Sequence, residues 1–365
     1  PYLTLMVVDS RGDYLCEVRD GGADAEAGYW PVREVPPRIE ATVLAVEDHR
    51  FRMHPGVDPV AVGRALIQNI SSGHRVSGAS TIAMQVARLQ RPASRTYLNK
   101  VREMVDAVAL TVRYGRRRVL DHYLRLAPYG NGIRGIGYAS KRYLNKPVED
   151  LSWAEIAFLS AIPQQPARMN PRTPSGRVRA VKRARQILDT VLDKGLISVP
   201  EHERAMEQVA RIRLEPRPRV PAEALHLSLR LRRELSRDRL EDNFDSPIIR
   251  TAFDSDLQRF TSEQVRLCVE AWSVSGAENG AVMVVDADTG DVVCHVGSTD
   301  YFDDQHAGSI DYASVKRSPG STLKPFIYAQ ALESGIVSPD DHLADDHVSA
   351  TGFRNFDRVW LGSVP

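Results

Sequence analysis

The sequence predicts a multidomain protein in which a mainly α-helical domain precedes the start of an α/β domain. Apolar residues recur at helical spacing through most of the range from Ile39 to Val209. A proline-rich stretch at residues 214–221 then interrupts this pattern, and short β-branched runs follow residue 248. We therefore expect four segments, namely a short β segment over 1–37, the helical domain over 38–210, a linker over 211–245 and an incomplete α/β domain over 246–365.

Capping residues predict where several elements begin and end. Ser94 can cap a long helix over residues 95–114 that stops at Gly115. Ser152 and Glu155 have the spacing of a capping box, which opens a helix that ends at Pro163. The remaining expected elements are a hairpin near the N-terminus, a basic helix at about 177–194, a strand at 248–253, a helix at 256–269 and a strand pair at 280–285 and 292–296.

Positive charge is concentrated in one part of the chain. The formal net charge of the 365 residues is only +1, which gives no reason to expect nucleic acid as a partner. Between residues 88 and 125, however, ten Lys and Arg residues accompany only three carboxylates. Such an excess favours phosphate-bearing partners or an anionic membrane surface, although any single arginine is better explained by a solvated helix face.

The sequence contains no segment that would hold it in a membrane. No apolar run is long enough to span a bilayer, and no signal-peptide pattern is present. The chain begins at Pro1 and stops in mid-pattern at Pro365, so we expect a fragment whose membrane anchor lies outside it. Its three cysteines have no metal-ligand spacing and say little about the compartment.

Residues 47–58 combine the side chains most suited to catalysis. Glu47 and Asp48 follow an apolar helical run, and Phe51 and His54 come just after them. A carboxylate held at a helix end beside apolar neighbours has a raised pKa and can act as a general base near neutral pH. A solvated helix end is the alternative interpretation. Asp58 precedes Pro59, which is the pattern of an N-cap followed by proline at the first helical position.

Two further polar stretches follow. Ser80 and Thr81 end a small-residue loop that leads into a helix carrying Gln85, so amides and hydroxyls there could bind phosphate or simply cap the helix. Lys100 and Glu103 lie three residues apart on one helix face. Considered alone, that pair is better explained as a surface ion pair.

Taken in order, these stretches resemble the glycosyltransferase family 51 module of class A penicillin-binding proteins over roughly residues 35–210, which implies a lysozyme-like, mainly α fold. Ala79 and Met84 point to the 1C-type subgroup. Asn99 and Arg125 depart from the family pattern, which has arginine and asparagine there. The positions that match the family motifs are Glu47, Asp48, Phe51, His54, Gly56, Asp58, Gly78, Ser80, Thr81, Ile82, Gln85, Lys100, Glu103, Arg116, Val119, Leu120, Asp121, Tyr123 and Leu124.

The resemblance implies that the chain polymerises lipid II into glycan strands, with inversion at the anomeric carbon and release of undecaprenyl pyrophosphate. Glu47 is then the expected general base, and Glu103 is the second catalytic carboxylate, near the donor pyrophosphate. Mg²⁺ or Mn²⁺ is a possible cofactor on this resemblance alone. The implied substrate-binding residues are Asp48, Phe51, His54, Ser80, Thr81, Gln85, Lys100, Arg102, Arg116 and Tyr123.

Residues 316–326 resemble the nucleophile motif of penicillin-binding serine transpeptidases. Ser321 opens an expected helix and Lys324 follows one turn later, so the amine could take the proton of the hydroxyl. The resemblance implies an acyl-enzyme on Ser321, formed by stem peptides or β-lactam antibiotics. No Ser-x-Asn or Lys-Thr-Gly follows before Pro365. We therefore expect cross-linking only in a full-length parent.

The sequence also fits two other functions. Paired carboxylates on a helical domain also suit a lysozyme-like enzyme that cleaves glycan. A non-catalytic remnant that binds lipid II or β-lactams is the second alternative. The basic region favours the transferase, because a hydrolase of neutral glycan needs no pyrophosphate site. The resemblance places the protein at the periplasmic face of the bacterial inner membrane.

Overall fold

The structure is a computed structural model that describes residues 3–18, 28–32, 34–72, 80–94, 96–238, 246–345 and 362–364. It divides into two compact units, Pro1–Ala313 and Ser314–Pro365. The α-helices are α1 (Pro37–Glu47), α2 (Pro59–Ser72), α3 (Ile82–Gln90), α4 (Tyr97–Leu126), α5 (Ile136–Leu144), α6 (Trp153–Ala161), α7 (Pro174–Asp193), α8 (Val199–Arg211), α9 (Leu225–Asp238), α10 (Ser255–Trp272) and α11 (Lys324–Glu333).

The strands form small sheets of two or three strands. They are β1 (Leu5–Val8), β2 (Tyr14–Val18), β3 (Gly28–Tyr29), β4 (Ile133–Arg134), β5 (Ile248–Arg250), β6 (Val282–Val285), β7 (Val292–Val296), β8 (Leu343–Asp345) and β9 (Gly362–Val364). β1 pairs antiparallel with β2 and parallel with β5, while β6 and β7 form the expected antiparallel pair. A mainly helical domain followed by an α/β segment is therefore confirmed.

Helix α6 lies at the centre of the helical domain. All its residues from Ala154 to Ala161 are buried, and it packs against α1, α7 and α8. The predicted capping box is present, because Ser152 accepts from the Glu155 amide while Glu155 accepts from the Ser152 amide. A helix whose residues are almost all buried must be enclosed by its neighbours, and α1, which ends at Glu47, is one of the helices that pack on α6.

Helix α4 differs from the prediction at its N-cap and at Gly115. Its N-cap is Thr96, whose hydroxyl accepts from the Asn99 amide, and not Ser94, which instead accepts from the Asn99 side chain. The helix is interrupted at Gly115, with φ of 79°, but resumes and continues to Leu126. Glycine adopts this left-handed backbone without the steric cost of a Cβ, so the chain changes direction there and does not terminate.

Residues 211–245, predicted as a linker, are extended only as far as the proline-rich stretch. Helix α9 follows, and its residue Leu227 is buried with Leu5, Leu15 and Phe253 in a second apolar cluster. The sequence pattern missed this helix because the apolar partners come from the N-terminal strands and from the chain after β5. The predicted hairpin is confirmed as β1 and β2.

A buried ion pair fastens the hairpin to the helical domain. Glu17 of β2 accepts from the Tyr138 hydroxyl at 2.8 Å, and the Arg142 guanidinium lies 3.6 Å from the same carboxylate. The side chains of Glu17 and Arg142 are at most 4% exposed. Removing Arg142 would leave the buried Glu17 carboxylate without this cation in a medium of low polarity.

The second unit contains the turn that carries Ser321. Residues Gly320–Leu323 form a 3₁₀ turn that leads directly into α11, and β8 pairs antiparallel with β9. In the part of the chain that the structure describes, no helix is both long enough and apolar enough to cross a membrane.

We expect Arg142→Leu to lower the free energy of unfolding by about 3 kcal/mol, because Glu17 would remain buried without its cation. Tyr138→Phe removes one neutral donor and should cost only about 1 kcal/mol. Urea unfolding followed by tryptophan fluorescence measures both variants. Equal losses for the two would show that the charge of Arg142 is not what stabilises the contact.

Candidate active site

Glu47 is the last residue of α1, as predicted, and its carboxylate is half-buried. Its Oε2 accepts a hydrogen bond from Nε2 of Gln85 on α3 at 2.8 Å. Burial raises the pKa of Glu47, and the neighbouring Asp48 carboxylate adds to this. The Gln85 hydrogen bond and the charges of Arg183 and Arg88 act in the opposite direction. The net pKa is raised, which is the property of a carboxylate that accepts a proton near neutral pH.

Asp48 braces the loop that follows α1. One carboxylate oxygen lies 2.9 Å from His54 Nε2, and the other accepts from the Ile82 amide at the start of α3. His54 Nδ1 accepts from the Gly56 amide at 3.2 Å, so that nitrogen carries no proton and Nε2 donates to Asp48. Both side chains are buried. Asp48 and His54, both predicted to bind substrate, thus form hydrogen bonds within the protein.

Phe51 and Thr81 are also buried. The Phe51 ring packs edge-on against His54, with ring centroids 6.3 Å apart. Thr81 is the N-cap of α3, accepting from the Met84 amide while its hydroxyl donates to the carbonyl of Gly56. Gly56 has φ of +113°, and a Cβ there would collide with the backbone of Ala107 in α4. The loop is therefore clamped between α3 and α4.

Lys100 and Glu103 lie near the start of α4 and form the second polar cluster, next to Ser80, which precedes α3. Lys100 Nζ donates to Glu103 Oε2 at 2.8 Å and to Ser80 Oγ at 3.0 Å. Both charged side chains are 20–30% exposed. Helix α3 links the two clusters, because Ser80 just before its N-cap contacts Lys100 and Gln85 one turn later contacts Glu47.

The residues present do not fit a metal site built by the protein alone. Glu103 already contacts the ammonium group of Lys100, and the described residues contain no group of three potential metal ligands. The Mg²⁺ or Mn²⁺ dependence that the family resemblance implies therefore stays a prediction.

The other predicted ligands lie on α4. Arg116 is exposed, and its Nε donates to the backbone carbonyl of His54 at 3.1 Å. Arg102 is exposed and has no ion pair with any residue in the described ranges. Tyr123 is buried, and both burial and the charge of Glu47 raise its pKa, which places its hydroxyl within the field of that carboxylate. The residues Ser77, Gly78 and Ala79 of the small-residue loop lie outside the described residues.

Three residues near Glu47 were not predicted. Arg88 lies one turn after Gln85 on α3, so the helical spacing could have indicated it. Arg183 comes from α7, and Tyr129 from the turn after α4. Sequence separation hides these two, because no local pattern connects them to Glu47.

Ser321 and Lys324 are both exposed in the second unit. The Lys324 amide donates to the carbonyl of Ser321, which gives the close spacing that the motif predicts. Within the described residues no hydrogen bond joins the two side chains.

Comparison with known proteins finds the same order of two domains as the sequence analysis predicts. Residues 14–192 match the family model described as Transglycosylase, and residues 280–362 match the model described as Penicillin binding protein transpeptidase domain. The chain is 34% identical to penicillin-binding protein 1C of Escherichia coli (strain K12), covering 94% of this chain and 43% of that protein.

Penicillin-binding protein 1F of Bacillus subtilis (strain 168) is 27% identical, covering 98% of this chain and 50% of that protein. A crystal structure of penicillin-binding protein 1A from Haemophilus influenzae aligns with a TM-score of 0.42 at 17% identity, covering 99% of this chain and 58% of that chain. The chain spans about half the length of the curated relatives it matches. On its two family models and its relatives, the chain belongs to the penicillin-binding proteins that join a transglycosylase domain to a transpeptidase domain.

Proposed function

We propose that the helical domain is a peptidoglycan glycosyltransferase that polymerises lipid II. The observation that carries this proposal is the environment of Glu47. This carboxylate has its pKa raised by burial, is oriented by Gln85 and lies in the field of the cations Arg88 and Arg183. A base beside several cations suits a reaction that deprotonates a hydroxyl while a diphosphate leaves.

In the proposed step, the 4-hydroxyl of the acceptor lipid II gives its proton to Glu47 as its oxygen attacks the anomeric carbon of the growing strand. The new glycosidic bond forms as the bond from that carbon to the pyrophosphate oxygen breaks. Undecaprenyl pyrophosphate leaves with the bonding electron pair, and the configuration inverts. The protonated carboxyl of Glu47 then releases the proton to solvent.

The departing pyrophosphate needs compensation for its negative charge. Lys100, held between Ser80 and Glu103, is the candidate with the most defined geometry. Glu103 keeps that ammonium group in one position, so its proposed role is to orient a cation. Arg102 and Arg116, both exposed on α4, are the further candidates for phosphate contact.

We also propose the cellular setting and the second activity. The glycosyltransferase works at the periplasmic face of the inner membrane, where its lipid substrate resides. Ser321 is acylated by stem peptides or β-lactam antibiotics in a chain that also supplies the partner motifs of the transpeptidase. These proposals rest on the family and on the motif around Ser321.

Glu47→Gln should abolish polymerisation of labelled lipid II, with a loss of at least about 10²-fold, because the amide cannot accept the proton. Gel separation of the glycan products measures the reaction. The matched control is Glu40→Gln, since Glu40 lies on the same helix and its side-chain contacts within the described residues are long ion pairs, at 3.5 Å with Arg52 and 4.0 Å with Arg117.

Three outcomes separate the functional hypotheses. Polymer from the parent chain and from Glu40→Gln, but none from Glu47→Gln, supports the transferase. Cleavage of preformed glycan without polymer would show a hydrolase. Neither product, from a chain that still binds lipid II, would show a non-catalytic binding protein.

Arg183→Gln should move the acid limb of the rate profile to higher pH. The charge of Arg183 lowers the pKa of Glu47, so its removal raises that pKa further and leaves less of the base ionised at low pH. The variant should therefore lose more activity at pH 6 than at pH 8. Arg185→Gln, two residues along α7 and exposed, is the control and should keep the parent profile. An equal loss at every pH would contradict this role.

A further inference from the structure

An open groove of about 540 Å³ lies between α3 and α4. We call it the α3–α4 groove. None of its lining residues belongs to the clusters around Glu47 and Glu103. Its lining residues are Val86, Gln90, Leu110, Tyr114, Arg118, Val119, Asp121, His122 and Arg125.

The break in α4 shapes this groove. Leu110 and Tyr114 lie before Gly115 and Arg118 lies after it, so both halves of the helix contribute a wall. Gly115 adopts φ of 79°, which an L side chain rarely adopts. The groove therefore combines apolar side chains such as Leu110 with basic side chains such as Arg118.

Two arginines in the groove have no acidic partner among the described residues. Arg118 is exposed, and half-buried Arg125 makes only one long contact, at 3.5 Å, with the backbone carbonyl of Val32. The acidic residue of the lining, Asp121, lies 3.7 Å from Arg117. A half-buried guanidinium without a counter-ion is a favourable site for an anion, because it has already lost part of its hydration.

His122 contributes a polar group without charge. Nε2 of Gln90 lies 2.9 Å from Nε2 of His122, so the amide donates and the proton of the imidazole resides on Nδ1. Burial, and then the charge of Arg125, lower the pKa of His122. The cationic character of the groove therefore comes from Arg118 and Arg125.

Part of the groove lining is apolar. Val86, Leu110 and Val119 contribute to it, and Tyr114, which also lines the groove, is 45% exposed. A free inorganic anion would leave this apolar surface in water, whereas an amphipathic anion would cover it.

We propose that the α3–α4 groove binds the phosphate headgroup of an anionic lipid. Arg118 and Arg125 lie two helical turns apart, a rise of roughly 10 Å, and their long side chains contact the phosphate from either side. The acyl chain of the lipid packs against Val86, Leu110 and Tyr114. Since this site shares no residue with the proposed catalytic clusters, it would retain the enzyme at an anionic bilayer independently of its substrate.

The test is calorimetric titration of the 365-residue chain with dihexanoyl phosphatidylglycerol below its micelle concentration. Arg118→Gln combined with Arg125→Gln should weaken binding about 25-fold, or about fivefold for each arginine. The matched control combines Arg185→Gln with Arg211→Gln, which removes the same charge from exposed positions on α7 and α8 and should change binding less than twofold. Melting temperatures verify that both double variants are folded.

A second arm distinguishes a lipid from a free phosphate. Glycerol 1-phosphate should bind at least tenfold more weakly than the lipid, and Tyr114→Asn should weaken the lipid alone. Equal binding of the two ligands would show a plain phosphate site and overturn the lipid assignment. Equal losses in the groove variant and its charge-matched control, or no measurable binding of the lipid to the parent chain, would overturn the proposal altogether.

Discussion

The arrangement of the candidate active site depends on the buried carboxylate of Asp48. One of its oxygens holds His54 and the other holds the first amide of α3. These two contacts set the loop after α1 and the start of α3 relative to each other. Because Glu47 directly precedes Asp48, the same contacts place it opposite Gln85. A defect in this brace would disturb the proposed base without altering the base itself.

Burial and positive charge act against each other at Glu47. Burial raises the pKa of Glu47, whereas the charges of Arg183 and Arg88 lower it. The cations on α3 and α7 limit that effect, and they also provide the positive field that a leaving diphosphate needs. One set of arginines thus serves both the state of the base and the charge of the leaving group in the proposed reaction.

The N-terminal hairpin connects regions that are far apart in the sequence. Glu17 joins it to α5 through Tyr138 and Arg142, while β1 pairs with β5 and buries its apolar face against α9. The strands are too short to be stable alone. Their stability comes from the helical domain on one side and from residues 224–227 and Phe253 on the other.

The sequence by itself determined the features that depend on local spacing. It indicated the end of α1 at Glu47, the capping box of α6, the β6–β7 pair and the adjacency of Lys100 and Glu103. It also indicated the cap at the start of α2, where the Asp58 carboxylate accepts from the amides of Val60 and Ala61. Each depends on residues within a few positions of one another, where backbone geometry leaves few alternatives.

Only the tertiary structure decided which distant groups meet. It brought Gln85 and Arg183 to Glu47, gave Asp48 and His54 buried partners, turned part of the expected linker into α9 and formed the groove at the Gly115 break. Contacts of this kind depend on how helices pack, and side-chain spacing along the chain carries no information about that packing.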